Sequence, residues 1–334
     1  MTLRELTEPV SLTAGDGRVL NRDAVGWARQ PIVDASRVHT RSWGRNKRWE
    51  YWNVTTPTHI LAFTVSSIDY AAVLGVWIFD RATERTWQAD ATVIPPRGVT
   101  LAPRLEQGSS RARAKGLEID IDEVPGGTRL RARIEDASFD VVAQLPEGHE
   151  RLAVVVPWSS RRFQYTVKDV ARPAVGTVVV EGVTYDVPEG QSWAVLDHGR
   201  GRWPYDVQWN WGAGSGRDAA GRVIGIQVGA KWTDGTGSTE NAMLVDGRLH
   251  KIHEELTWDY DIATWRRPWR ITGGGLDATF TPFYDKAGKT NLLVLSSRTD
   301  QCFGHWSGTF TTDDGDTIAF DGILGFAEEV HNRW

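Results

Sequence analysis

The residues best suited to chemistry cluster between Ser192 and Gly216, SWAVLDHGRGRWPYDVQWNWGAGSG. Four of the chain's 17 tryptophans surround an adjacent Asp197-His198 pair, with Arg200, Arg202 and Tyr205 close by. Aromatic walls supply apolar area for affinity, and a few converging ionisable groups orient a ligand or move its protons. A carboxyl desolvated among tryptophans has a raised pKa and becomes a proton donor near neutrality. Asp197 is thus the first candidate acid, and His198 its orienter or the base. Neighbours on an extended strand point to opposite faces, so these two share a cavity only where the strand bends, and Gly199 and Gly201 offer a bend. Structurally, the same residues read as an Asp197 that caps a Gly199–Gly201 turn and pairs with an arginine, since ion pairs outside active sites look similar.

A second cluster is Lys47-Arg48-Trp49-Glu50-Tyr51-Trp52. Strand alternation puts Arg48, Glu50 and Trp52 on one face and Trp49 and Tyr51 on the other. If the first face is a barrel interior, Glu50 is a further acid or base and Trp52 a ligand contact; otherwise Glu50 and Arg48 form a surface ion pair worth little. In Trp203 to Trp211, period-two spacing sends Tyr205, Val207, Trp209 and Trp211 to one face and Asp206, Gln208 and Asn210 to the other. That aromatic stripe is either core or pocket wall, with Trp203 beside it. Arg200 is a candidate for holding an anion, and Glu240 could project a carboxylate inward.

Other motifs point away from chemistry. Gly212 to Gly216 (GAGSG) reads as a hairpin loop, because no helix opens after it to hold a phosphate. His250 and His253 face oppositely on a strand and cannot share one ion, so they read as exposed polar residues beside a turn at Asp246-Gly247. No metal site and no cofactor are expected. Cys302 is the single cysteine, which excludes an intrachain disulfide, and it reads as a small buried hydrophobe.

The 334 residues, 40% hydrophobic and 24% charged, describe an ordinary globular protein of one large β-domain or two smaller ones. A net charge of -5 argues against a nucleic-acid partner. The densest basic run, Arg45 to Arg48, reads as a solvated loop. No long apolar run suggests a membrane span, the N-terminal residues carry charges where a signal peptide needs apolar ones, and a cytoplasmic location is expected. Oligomeric state is not legible.

Short apolar alternations punctuated by Gly, Pro, Asp and Asn dominate the chain. Strands are expected at 59–66, 71–79, 116–122, 128–134, 151–156, 223–231, 276–283, 291–297 and 317–328. Val124-Pro125-Gly126-Gly127 and Thr312 to Asp316 read as hairpin turns, and 177–187 as a hairpin. Helical periodicity is thin: 4–9 or 166–171 could make a single turn. The expected class is all-β, with sheets that curl to remove their edges, in two tightly packed halves at 1–185 and 186–334.

The segments KRWEYWNVTTP (47–57), DYAAVLGVWIFD (69–80), DHGRGRWPYDVQWNWGAGSG (197–216), TENAMLVDGRLHKI (239–252) and CFGHWSGTF with DGILGFAEEVHNRW (302–334) resemble the bacterial family called domain of unknown function 2804. A more distant resemblance, through Ser192-Trp193 and Asp197-His198-Gly199, is to the lipocalin-like group of carotenoid 1,2-hydratases and AttH-type proteins. It implies two lipocalin-like (calycin-type) antiparallel β-barrel or curved-sheet halves with a cavity between or within them. It also implies an acidic residue, here Asp197, that protonates an isolated alkene. Arg200-Gly201-Arg202 departs from that group's aromatic-Gly run. The expected function is a cofactor-independent hydratase, cyclase or isomerase acting on an apolar unsaturated small molecule. The alternatives are a small-molecule carrier and a carbohydrate-active enzyme using Asp197 and Glu50.

Overall fold

The computed structural model describes residues 3–292 and 295–333. Among the described residues there is no α-helix, only two short 3-10 turns at Arg22–Ala24 and Val38–Thr40. Two antiparallel sheets, of fourteen and nine strands, carry the fold. Each bends around its own apolar filling. Trp52, Leu61, Phe63, Ile119, Leu130 and Leu196 belong to the first interior. Ile226, Met243, Trp269, Phe280, Trp306 and Phe320 belong to the second. A third cluster, including Trp77, Val154, Trp193, Trp211, Phe303 and Phe326, lies where the sheets face one another.

Strand alternation explains this three-layer arrangement. In Trp193–Arg202, Ala194 and Leu196 join the first interior while Trp193 and Val195 join the layer between the sheets. Near-continuous burial along that strand follows from its having packed protein on both faces. The expected segments 59–66, 71–79, 116–122, 128–134, 151–156, 223–231, 276–283 and 317–328 fall on strands, and the Thr177–Val187 region is a hairpin. Of 291–297, residues 293 and 294 lie outside the described residues.

Four local expectations are corrected. Residues 166–171 are not helical but lie within the Phe163–Val180 strand, which has a β-bulge between Asp169 and Arg172. Gly199 and Gly201 do not bend the Trp193–Arg202 strand, which pairs without a shift from Trp193 to Gly201. Gly212–Gly216 is not a loop; it sits inside Asp206–Arg217. A Cβ at Gly212 would come within 2.7 Å of the Trp306 ring, so these glycines admit a tryptophan rather than turn the chain. Lys47 and Arg48 are on the Lys47–Thr55 strand and Lys47 is buried, because its strand is flanked by two others.

The Trp193–Arg202 strand, expected in the second half, is hydrogen-bonded between Phe163–Val180 and Lys47–Thr55 in the first sheet. The second sheet starts at Asp206, so Trp203, Pro204 and Tyr205 carry the chain from one sheet to the other.

Candidate functional site: a buried acid–lysine cluster between the sheets

Register decides which candidate residues meet. Across the first sheet Lys168 pairs with Asp197, and Asp197 with Tyr51, so these three share one face. The next row pairs His198 with Glu50 on the opposite face. The straight strand therefore separates Asp197 from His198, and Asp197 from Glu50. His198 is not the partner of Asp197, and the Asp197–Glu50 pair expected for sugar chemistry does not line one cavity.

On the face toward the second sheet, Asp197 accepts hydrogen bonds from Trp49 Nε1 and Thr166 Oγ1, both at 3.0 Å. Lys168 Nζ lies 3.1 Å from Asp197 Oδ2 and 3.3 Å from Glu240 Oε2, and 3.9 Å above the Trp211 ring centroid. Glu240 also accepts from Trp232 Nε1. From the Thr317–Arg333 strand comes Glu328, which accepts from Trp209 Nε1 and from Gln301 Nε2, each at 2.9 Å. Gln301 also donates to Tyr51 at 3.1 Å. Both sheets thus contribute to one polar knot inside an aromatic layer.

Asp197 and Glu240 lie within ion-pair distance of Lys168, and the charges of Lys168 and Lys286 both reach Glu328. Burial pushes the Glu328 carboxyl up to about 7, despite the hydrogen bond from Trp209 and the charge of Lys168. Burial raises Glu240 as well, with Lys168 and Trp232 opposing. For Lys168 burial works against the ammonium, but Asp197, Glu240 and Glu328 together hold its pKa above the ordinary lysine range. The tyrosine hydroxyl of Tyr51 is pushed up by burial and by Glu328. Glu328 is therefore a carboxylic acid able to carry a proton near neutrality.

The knot is least covered at the Asp197 edge. The Asp197 side chain retains 13% exposure, and Trp49, Tyr51 and Trp209 around it are only half-buried. Trp203 packs edge-on against Trp49 and Trp209 at 5.4 and 5.7 Å and stacks on Trp232 at 5.2 Å. Trp203, Trp209 and Trp211 thus surround the acids as expected, while Tyr205 is 53% exposed and lies outside the knot. Asn210 and Gln208 take the opposite face, as alternation requires.

The remaining candidates form a separate cluster behind the same strands. Arg200 donates to Glu50 Oε1 at 3.2 Å and to the carbonyls of Trp49, Gly199 and Ala102. His198 Nδ1 is 3.7 Å from Glu50. Burial and the adjacent Arg200 lower the His198 pKa, and His198 and Arg200 outweigh burial to lower that of Glu50. Trp52 fills the first sheet's interior, with Arg172 over its ring. Arg200 thus holds a buried carboxylate and three backbone carbonyls.

His250 is buried rather than exposed, its Nδ1 accepting from the Asp313 N–H at 3.4 Å. It borders a surface cleft of about 550 Å³ whose other walls include Arg222, Arg248, Asp314 and Asp316, and which contains none of the knot's residues. Among the described residues no group of three or more His, Cys, Asp or Glu side chains could hold a metal ion. Sequence reasoning missed Lys168 and Glu328. Lys168 and Glu328 each stand beside a second ionisable residue, Asp169 and Glu329, and nothing within either segment says which of the two faces the layer between the sheets.

The architecture is all-β, in two curled antiparallel sheets with ionisable groups buried between them. The chain belongs to the family described as domain of unknown function 2804, whose model matches residues 3–334. Similar solved structures include kievitone hydratase from Nectria haematococca, at 11% identity and a TM-score of 0.52, covering 87% of this chain and 89% of that one. An AttH-like protein from Nitrosomonas europaea aligns at 14% identity and a TM-score of 0.50, covering 85% of this chain and 92% of that one. A comparison with curated proteins returns no match.

Proposed function

We propose that the protein is a cofactor-independent acid–base enzyme that adds water to an unsaturated, largely apolar small molecule bound between the two sheets. The observation that carries this reading is the buried Glu328 carboxyl, held by Trp209 and Gln301 and pushed up to about 7 by burial, in the same tryptophan-walled layer as the Lys168–Asp197 pair. Glu328 delivers its proton to one alkene carbon, and the electron-deficient carbon that results faces indole surfaces such as Trp211, whose π-density favours positive charge. Water adds to that carbon, and its surplus proton passes to a carboxylate of the knot, so that alkene and water become an alcohol. Lys168 keeps Asp197 and Glu240 oriented and limits the repulsion among the three acids. Asp197, first considered as the donor, is an acceptor from three donors, a geometry that suits the base. The likeness in fold to a structure named as a hydratase supports the same reaction class.

The test is incubation with a panel of alkenes in oxygen-labelled water, read by mass spectrometry. Incorporation that falls about 10²–10⁴-fold in a folded Glu328→Gln protein supports the reading. A Glu328→Gln protein as active as the wild type overturns it, and binding without incorporation for every alkene would make the protein a carrier.

A further inference from the structure

Three hairpin turns meet at one end of the second sheet and enclose the cleft of about 550 Å³ that His250 borders. They join the strands at 217–223, 245–248 and 311–317. Hydrogen bonds set each turn. Asp218 Oδ1 accepts from the Ala220 and Arg222 N–H groups, both at 2.9 Å. Asp246 Oδ1 takes the Val223 N–H at 2.8 Å, and the Thr312 N–H donates to the Asp316 carbonyl at 2.9 Å. Arg248 Nη1 then fastens the second turn to the third through Asp314 Oδ2 at 2.6 Å. The enclosed volume falls within the range of small-molecule sites, about 300–1,000 Å³.

One wall group calls for an occupant. The His250 side chain is only 4% exposed, and its ring packs edge-on against Phe310 at 5.9 Å. Its Nδ1 meets the Asp313 N–H and the Asp313 carboxylate, each at 3.4 Å. Nε2 therefore carries a proton whether the ring is neutral or charged. Among the described residues none accepts that proton, so its acceptor comes from whatever fills the cleft. The other walls supply both donors and acceptors. Arg222 and Arg248 each give one N–H to a carboxylate, of Asp218 at 2.7 Å and Asp314 at 2.6 Å, and keep the rest. Asp246 and Asp316 also line the cleft, and neither has a cation within ion-pair distance among the described residues. The guanidiniums are thus offset by carboxylates of their own and two carboxylates are left over, a balance that repels anions. Val245 and Ile318 add an apolar patch, Ile318 as part of the second interior.

We propose that this cleft is a binding site for a hydroxylated ring bearing an ammonium group, the chemistry of an amino sugar. Hydroxyl oxygens accept from His250 Nε2 and from the uncommitted guanidinium N–H groups. The ammonium and the hydroxyl protons turn to Asp246 and Asp316, and the C–H face of the ring covers Val245 and Ile318. A hydroxyl both donates and accepts, which is what a wall holding both kinds of charged group requires. The cleft shares no residue with the acid–lysine knot, so the proposal stands apart from the hydration reading.

Isothermal titration calorimetry at about pH 6.5, where an amine of this kind stays charged, tests the site. The probes are glucosamine, N-acetylglucosamine, cyclohexylamine and glucuronate, which vary the charge and the hydroxyls separately. Glucosamine should bind about three- to tenfold more tightly than each of the others, the scale of a single exposed charge pair or a few hydroxyl contacts. His250→Phe should weaken glucosamine and N-acetylglucosamine alike, by about three- to tenfold, because both lose the Nε2 donor. Asp316→Asn changes an exposed side chain and leaves the turn's backbone bonds in place. It should bring glucosamine down to the affinity of N-acetylglucosamine and leave the latter unchanged, a split that loss of folding does not produce. Tightest binding of glucuronate, equal binding of cyclohexylamine, an Asp316→Asn protein that keeps the preference, or no binding of glucosamine overturns the proposal. None of these outcomes bears on the labelled-water experiment with Glu328.

Discussion

Glu328 and Glu329 are neighbours in sequence, both buried, and they have opposite fates. Glu328 points between the sheets, where two neutral N–H donors hold it and burial lifts it to about 7. Glu329 points to the other face, where Lys231 Nζ at 2.7 Å, Arg298 and Tyr260 bring it down to about 2 in spite of burial. Asp197 and His198 divide in the same way, as do Lys168 and Asp169, the latter locked to His149 at 2.8 Å and Arg172 at 3.2 Å. On one strand face burial outweighs the cations and leaves Glu328 raised; on the other, ion pairs outweigh burial and bring Glu329 down. The difference separates a group kept reactive from a group kept structural, and it arises from the two-residue period of the strand.

Exchanging the two carboxyls for amides should break this symmetry most sharply. Glu328→Gln should lose about 10²–10⁴ in turnover without loss of stability near pH 7, because an amide removes a carboxyl whose ionisation burial opposes. Glu329→Gln should keep its turnover but lose about 3–5 kcal/mol of stability, since Lys231 and Arg298 are left around a site without its charge. Urea unfolding of both proteins, together with labelled-water incorporation, measures the two effects. A Glu329→Gln protein that is stable but inactive would reverse the assignment of the faces.

Stability against pH sharpens the same contrast. Glu328 has a folded pKa raised from 4.5 to about 7, so its contribution is complete below about pH 4.5 and lost as pH rises through 7. Glu329 has a folded pKa lowered from 4.5 to about 2, so its contribution is present above about pH 4.5 and lost as pH falls toward 2. Subtracting the unfolding free energy of each Gln variant from that of the wild type should give curves of opposite slope, each spanning about 3 kcal/mol. Parallel curves would mean that the two environments are alike. The proposed activity should likewise decline above about pH 7, as Glu328 loses the proton it must donate.

The sequence made the sheets legible because alternation is local: a stretch such as Leu117–Val124 announces its own buried face. It made the tryptophan wall legible for the same reason, with Trp209 and Trp211 on one face of their strand. The acid cluster depends on what is opposite what. Lys168 meets Asp197 only because strands 163–180 and 193–202 pair in one register, and Glu328 arrives from a different sheet. Such cross-strand and cross-sheet pairings leave no mark within a single segment. Glycine misled in a consistent way: at 199, 201 and 212 it was read as a bend or a loop. In each place the adjacent strand is regular, and the missing side chain leaves room for a neighbour.

That use of glycine gives the smallest and most local prediction. Trp49 reaches Asp197 by lying across Gly199, whose added Cβ would meet two atoms of the indole at 2.2 Å. Gly199→Ala leaves the backbone unstrained, since Gly199, unlike Gly182, does not have a positive φ angle. The indole must therefore move, at a cost of about 1–3 kcal/mol for an overpacked buried contact. Its hydrogen bond to Asp197 should break with it, shifting the tryptophan emission and altering the pH profile of turnover. Gly182→Ala, at a hairpin tip where a Cβ meets no atom within 4 Å but φ is +81°, supplies the control. It should cost about 1 kcal/mol through backbone strain alone, with the emission and the pH profile unchanged. If both variants behave alike, the glycine floor beneath Trp49 has no part in setting the Asp197 contact.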